Sequence, residues 1–213
     1  MNNQNISEVD RLNESHDAMG NVQRAIKRFL DVVFSVAGMI ILSPLYLVIA
    51  IMLKRQKNGP VIFSQERIGY RGKPFTIYKF RTKSEPEKEP QLVAKCQKGQ
   101  STKTEMFLRE HHLDELPQLW NVLKGDMSFV GPRPERKFYI DKIMERDSSY
   151  TMIYEMKPGL TSEATIYNGY TDTMEKMLVR LHMDTDYLKK RSLLLDACIV
   201  MKTFFSIVSG KKF

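Results

Sequence analysis

Cysteine is almost missing from this chain: two in 213 residues, Cys96 and Cys198, far apart and outside any CxxC or metal-ligand spacing. A disulfide-stapled fold is thereby excluded, and two free thiols in a reducing compartment are expected. Histidine is scarce too. His16, His111, His112 and His182 form no HxxxH pattern, so no structural zinc site is expected. Internal repeats are absent. Carboxylates run short, with 25 Asp and Glu facing 33 Lys and Arg, a net charge of +8. The deficit is uneven, because residues 1–26 hold only Arg11 and Arg24 against Glu8, Asp10, Glu14 and Asp17. The basic excess therefore lies in the remainder. It favours an anionic partner: nucleic acid, anionic lipid or a phosphorylated substrate.

What is present has the composition of a globular protein, 42% apolar and 27% charged, and is long enough for a real core. Residues 1–24 read as a loosely ordered polar arm, with room for a short helical turn near residues 7–12. The first apolar block starts too late, and behind too acidic a segment, for a signal peptide. That block, residues 29–53 (FLDVVFSVAGMIILSPLYLVIAIML), carries no charge from 32 to 53 and has the length of a membrane helix. Ser43-Pro44 interrupts it. Pro44 has no N–H to give the carbonyl of Ile40, and it disfavours helix at the residue before it. The halves 29–42 and 45–53 would be about 21 Å and about 14 Å long, each short of the roughly 30 Å hydrocarbon core. Lys27 and Arg28 precede the run, and Lys54, Arg55 and Lys57 follow it. Basic residues prefer the cytoplasmic side, so both ends favour one face. A re-entrant membrane helix hairpin over residues 25–57 satisfies this, with Ser43 placed to satisfy backbone groups freed at the kink. On pattern alone a Pro-kinked spanning helix fits about as well, with a buried core helix behind.

Residues 58–213 read as the rest of the molecule. Short strands at 61–64 and 75–80 form an antiparallel pair, with turns at Gly69 and Gly72. Arg67, Arg71, Lys73, Lys79 and Arg81 punctuate it, either as a solvated basic face or as contacts to phosphate or headgroups. Residues 83–103 are a flexible connection, long enough to cover or gate something. Helices are expected over 104–112, within 135–156, and over 172–190 and 192–208, with 160–171 irregular or a short strand. The final helix reads as core because Asp196 and Lys202 interrupt its apolar run, an amphipathic surface role staying open.

Chemistry concentrates in residues 113–135, LDELPQLWNVLKGDMSFVGPRPE. Leu116, Leu119, Trp120 and Leu123 fall at i, i+3, i+4 and i+7, the buried face of a short helix. Pro117 belongs in a first turn, which puts the helix start near residues 114–116. Asp114 is then readable as an N-cap and Glu115 as a favourable first-turn charge. The same helix start attracts phosphate. Arg109 lies just before it, and Arg133 and Arg136 lie in the fixed loop after it, suited to planar oxygen recognition. Two carboxylates beside phosphates suit Mg²⁺, and an aspartate can be a nucleophile on phosphorus.

The chain resembles the monotopic phosphoglycosyl transferases, or bacterial sugar transferases, from about residue 27 to 211. The resemblance is carried by KRFLD (27–31), the Ser43-Pro44 kink, GPVIFSQERIG (59–69), GKPFTIYKFRT (72–82), the 113–135 stretch, KPGLT (157–161) and LLLDACIVMKT (193–203). It implies transfer of a phosphosugar from a UDP-sugar to a polyprenyl phosphate such as undecaprenyl phosphate, with Mg²⁺, at the cytoplasmic face of the bacterial inner membrane. The product would initiate an exopolysaccharide, capsule, O-antigen or glycoprotein glycan. It assigns Asp114 as the nucleophile that forms a covalent phosphosugar intermediate and releases UMP. It assigns Glu115 to metal or proton handling, and Arg109, Arg133, Lys79 and Arg81 to substrate phosphate. Asp114 and Glu115 are also its metal residues. Two departures stand out: KGQSTKTE (98–105) lacks an Asp-Pro-Arg-type stretch, and Ser162 and Thr165 replace a Gly and a Gln.

The expected fold is therefore α+β and mainly helical: a flexible arm (1–24), a re-entrant hairpin kinked at Ser43-Pro44 (25–57), and a cytoplasmic helical catalytic domain (58–213) with a small antiparallel β-hairpin. Expected partners are a UDP-sugar, polyprenyl phosphate and membrane lipids, with a homo-oligomer compatible. A non-catalytic membrane-surface binding module is the alternative. Nucleic-acid binding would explain the charge but not residues 32–53, and is not expected.

Overall fold

A computed structural model describes residues 17–56, 59–82, 102–169, 171 and 173–209. Most of the expected arm and of the 83–103 connection, including the altered segment before residue 102, lies outside the described residues.

The apolar block forms two helices, α1 (Asn21–Ile41) and α2 (Ser43–Arg55), meeting at Leu42 with a bend of 60°. Pro44 sits in the first turn of α2, where its missing N–H costs least. The Ser43 hydroxyl donates to the carbonyl of Ile40 at 2.7 Å. It thus satisfies the acceptor that Pro44 cannot reach. Among the described residues no single helix is long and apolar enough to cross a membrane, although the bent pair together is.

α1 is amphipathic in an inverted sense. Arg28, Asp31, Ser35 and Gly38 follow one another at helical spacing and face the rest of the protein. Asp31 and Ser35 are buried, while Phe29, Ile40 and Ile41 are 66%, 68% and 73% exposed. Arg28 donates to the carbonyls of Val122 (2.6 Å) and Leu123 (2.7 Å), and Asp31 accepts from the Ser128 hydroxyl (3.2 Å) and the Phe129 amide (3.1 Å). Lys27 pairs with Asp196 at 2.5 Å. A helix that turns its polar stripe inward and its apolar face outward is not organised for water on that outer face.

Strands β1 (Ile62–Ile68) and β2 (Pro74–Phe80) pair antiparallel, Gln65 opposite Ile77, through a 3-10 turn at Tyr70–Gly72. β1 runs further than its apolar residues suggest, because Gln65, Glu66 and Arg67 continue the ladder. Helix α3 (Lys103–Glu110) opens with a capping box between Thr102 and Glu105. A 3-10 turn at Leu113–Glu115 then leads to α4 (Gln118–Lys124), which ends at Gly125 with φ +93.

A second, parallel sheet was not expected. β3 (Ser128–Val130) pairs with β4 (Gly159–Thr161). Three-residue strands some thirty positions apart leave no period to read. Gly131 and Gly159 make the approach feasible: a Cβ on Gly159 would fall 2.2 Å from the Gly131 nitrogen. Around this pair α5 (Lys137–Met144), the 3-10 segment Ser148–Glu155, α6 (Glu163–Asn168), α7 (Met174–Lys190) and α8 (Leu193–Val208) build the main core, with Val130, Ile140, Met156, Leu181 and Leu188 nearly sealed. α8 is core on one side only. Ile199 is buried there, but Leu194, Phe204 and Phe205 are 77%, 58% and 61% exposed, so its reading as a core helix is corrected to a half-open one.

Candidate active site

Three elements place the acid pair. The 3-10 turn carries Asp114, which is 9% exposed, with its side chain capping no helix. This corrects the N-cap reading. Pro117 occupies the N-cap position of α4 in helical backbone geometry, so the carboxylates lie one turn ahead of the helix rather than on its first residues. The same break rotates the apolar face of α4. Leu119 and Val122 are buried with Gln118 and Asn121, whereas Trp120, expected inside, is half exposed.

β2 delivers Lys79, whose ammonium meets Glu115 at 2.5 Å with both side chains under one-fifth exposed. The loop after β3 delivers Arg133, 3.7 Å from the same Glu115 oxygen. α3 delivers Arg109, close enough for its charge to act on Asp114. Arg81 does not join them. Its guanidinium is buried and donates to the carbonyls of Leu53 (3.0 Å), Pro60 (3.0 Å) and Gly59, with Glu105 at 3.9 Å. Those contacts close the end of α2 onto the entry to β1.

The two carboxylates are driven apart electrically. Burial, with Glu115 alongside, pushes the Asp114 carboxyl up to about 6 against the pull of Lys79 and Arg109. Burial also works on Glu115, but Lys79 and Arg133 outweigh it and hold Glu115 down at about 2. One carboxylate is thus held in its charged form and the other is desolvated with a raised pKa, a pattern found where paired carboxylates take separate roles. Burial lowers the pKa of the His112 imidazole, which lies at φ +53 immediately before the turn.

Among the described residues no three His, Cys, Asp or Glu side chains gather for a metal. The donor set is two adjacent carboxylates. That set fits Mg²⁺, which takes one or two carboxylates and fills its shell with phosphate oxygens and water.

Three residues that the sequence reading left out hold this geometry. Asn121, fully buried, accepts from the Tyr78 amide (3.2 Å) and donates to the Thr76 carbonyl (2.7 Å), locking α4 to the strand that carries Lys79. Tyr46 of α2 donates to the Leu116 carbonyl at 2.5 Å, directly after the acid pair. Arg28 of α1 closes the far end of α4. Asn121 left a sequence signal as an amide beside the apolar positions of a short helix, and Arg28 one as part of the basic flank at 27–28, though neither signal marks a support of the site.

A desolvated carboxylate, a cation-held glutamate and nearby arginines, bonded to a bent helix pair with an exposed apolar face, have the charge pattern that suits phosphoryl groups. The chain belongs to the bacterial sugar transferase family, whose model matches residues 22–210. It is similar to a UDP-glucose:undecaprenyl-phosphate glucose-1-phosphate transferase of Klebsiella pneumoniae, 38% identical over 190 residues, covering 88% of this chain and 41% of that protein. A UDP-N-acetylgalactosamine-undecaprenyl-phosphate N-acetylgalactosaminephosphotransferase of Aeromonas hydrophila is 36% identical over 186 residues, 87% of this chain and 44% of its own length. A UDP-glucose:undecaprenyl-phosphate glucose-1-phosphate transferase of Caulobacter vibrioides is 41% identical over 187 residues, 86% and 70%. The chain thus spans less than half the length of the first two.

Proposed function

We propose that this chain is a phosphoglycosyl transferase, moving a phosphosugar from a UDP-sugar to a polyprenyl phosphate such as undecaprenyl phosphate and releasing UMP. The product would start a lipid-borne glycan. The observation that carries this reading is the split pair, a desolvated Asp114 beside a Glu115 held charged by Lys79 and Arg133. The names of the relatives supply the two substrate classes.

In the first half-reaction a carboxylate oxygen of Asp114 attacks the β-phosphorus of the UDP-sugar. The bond from that phosphorus to the bridging oxygen breaks, and UMP leaves with the electron pair. In the second, a phosphate oxygen of the polyprenyl phosphate attacks the same phosphorus and Asp114 departs as carboxylate. Each half exchanges one P–O bond for another. Lys79, Arg109 and Arg133 balance phosphate charge, and Glu115 orients Lys79 and Arg133. Mg²⁺ held by Asp114 and Glu115 would supply positive charge to the pyrophosphate oxygens.

The site is proposed to work at the cytoplasmic face of the bacterial inner membrane, with α1 and α2 re-entrant. The outward apolar faces of α1, α2 and α8 support this, as do basic residues at both ends of the bent pair. Cysteines introduced at positions 22 and 54, both exposed, would both react with an impermeant reagent from the same side; opposite-side labelling would overturn the re-entrant reading.

A panel of UDP-sugars with undecaprenyl phosphate and Mg²⁺ is expected to yield UMP from at least one donor. Protein that binds anionic vesicles but releases no UMP across the panel would instead be a surface-binding module. The pH profile is a second measurement. The nucleophile must be ionised, so kcat/KM should rise along an acid limb centred near 6, the value set for Asp114, and flatten above it. Glu115→Gln removes a neighbouring negative charge and releases Lys79, so the limb should move to lower pH. A limb that stays put in that variant would count against Asp114 as the titrating group.

A further inference from the structure

Beside Arg133 lies a second charge cluster that the proposed chemistry does not use. A small cavity is lined by Pro132, Arg133, Glu135, Tyr150, Arg180 and Asp184. Glu135 accepts from Arg180 of α7 at 2.8 Å, and its other oxygen stands 3.6 Å from Arg67 of β1. All three side chains are less than one-fifth exposed. The loop holding Glu135 is fixed on both sides. Arg67 donates to the Pro134 carbonyl (3.2 Å), the Ile68 amide to the Glu135 carbonyl (3.0 Å), and the Gly159 amide to the Pro132 carbonyl (2.9 Å).

Arg133 shares this loop with Glu135. Glu115 is 3.7 Å away, and Glu135 is two residues on. Its charge is felt by both buried arginines: burial lowers the pKa of Arg67 and of Arg180, and Arg133 lowers each further. Asp184 lies one helical turn beyond Arg180, with one oxygen buried and unpartnered. Burial pushes its carboxyl up to about 7 against the pull of Arg180, with Glu135 and Glu163 adding to the rise. Glu135 is therefore the carboxylate that holds Arg180.

We infer that Arg180 is a positioning residue, which occupies Glu135 and so leaves Arg133 to Glu115 and to the phosphate of the donor. The inference rests on the function proposed above. Without Arg180, Glu135 loses its 2.8 Å partner and keeps Arg67 at 3.6 Å. A buried carboxylate short of positive charge is costly, and Arg133 on the same loop is the cation it recruits. Arg133 then leaves Glu115, and phosphate binding weakens before the chemical step does.

In the UMP-release assay Arg180→Met is expected to lower kcat/KM about 30-fold, mostly through the KM of the UDP-sugar. Arg180→Lys returns a cation to Glu135 and should stay within about threefold of wild type. Adding Arg180→Met to Arg133→Ala should cost less than about twofold more, because the two act through one contact. The most selective variant is Arg180→Met with Glu135→Gln. It has no carboxylate competitor for Arg133, and the loss of the Glu135 charge beside Arg67 is common to it and to Glu135→Gln, so it should lie within about threefold of Glu135→Gln alone. A further loss of about tenfold or more there, or losses that multiply with Arg133→Ala, would overturn the inference. If the wild type releases no UMP from any donor, the proposed activity fails instead. The positioning is then read from inorganic pyrophosphate affinity by calorimetry, expected to weaken about tenfold in Arg180→Met and to recover in the double variant. Unchanged affinity in Arg180→Met overturns it.

Discussion

Asp114→Asn is expected to abolish UMP release, with a loss on the order of 10⁴-fold or more, while leaving the protein at least as stable as wild type. The two halves of this result belong together. An amide keeps the size of the side chain and the 3-10 turn, but it cannot attack phosphorus and leave again as a carboxylate. The stability sign follows from the same burial. A carboxyl raised to about 6 from an ordinary 3.8 binds its proton more tightly folded than unfolded. Its contribution to stability is therefore greatest in acid and is lost as pH rises from the lower value through the higher. At pH 7 the ionised Asp114 is a net cost of about 2–3 kcal/mol, which asparagine relieves. Thermal unfolding in detergent beside the UMP assay reads both. A helix-capping aspartate would give the opposite pattern, activity kept and about 1 kcal/mol of stability lost. Wild-type turnover in Asp114→Asn would end the proposed mechanism.

Lys79→Met should have the next largest effect, about 10²–10³-fold on kcat/KM at pH 7. The ammonium serves both carboxylates. It is the 2.5 Å partner of Glu115 and the leading charge that restrains the pKa of Asp114. Without it Glu115 keeps Arg133 at 3.7 Å, and the acid limb of the pH profile should shift upward, so that part of the loss returns in alkaline buffer. Lys79→Arg should preserve the limb near its original place. A loss with no shift of the limb would mean that Lys79 acts on substrate alone and not on Asp114.

The sequence carried the break at Ser43-Pro44 almost to the atom. Proline chemistry alone says that the Ile40 carbonyl lacks its partner, and the Ser43 hydroxyl is what fills it. The acid pair was visible as a pair, and resemblance to the family named its roles. Spacing could not place Asp114 ahead of α4, because a 3-10 turn running into Pro117 has the same local composition as a helix start. Arg81 was unreadable for a different reason. Next to Lys79 on a strand of alternating charge it looks like another phosphate contact, and only the return of the chain past Leu53, Gly59 and Pro60 shows three carbonyls drawing it inward. The sequence allows a short strand near β4, but β3 and the parallel pairing were invisible because the pairing depends on two glycines allowing backbone to meet backbone, a condition written in space and not in period. The outward faces of α1 and α8 follow the same logic. Apolar composition says that a helix avoids water, and the buried Asp31, Ser35 and Asp196 decide which side does so.

Arg28 has a consequence for the order in which the molecule can be made. Its guanidinium terminates α4 through the carbonyls of Val122 and Leu123, although it belongs to a helix synthesised about ninety residues earlier. The partner for the end of the site helix therefore already exists when that helix emerges, provided α1 has formed and turned its polar stripe inward. Until then the carbonyls of Val122 and Leu123 have no Arg28 to bond, and Gly125 alone marks the end of α4. Docking of α1 and closure of the helix behind the acid pair are in this sense a single event.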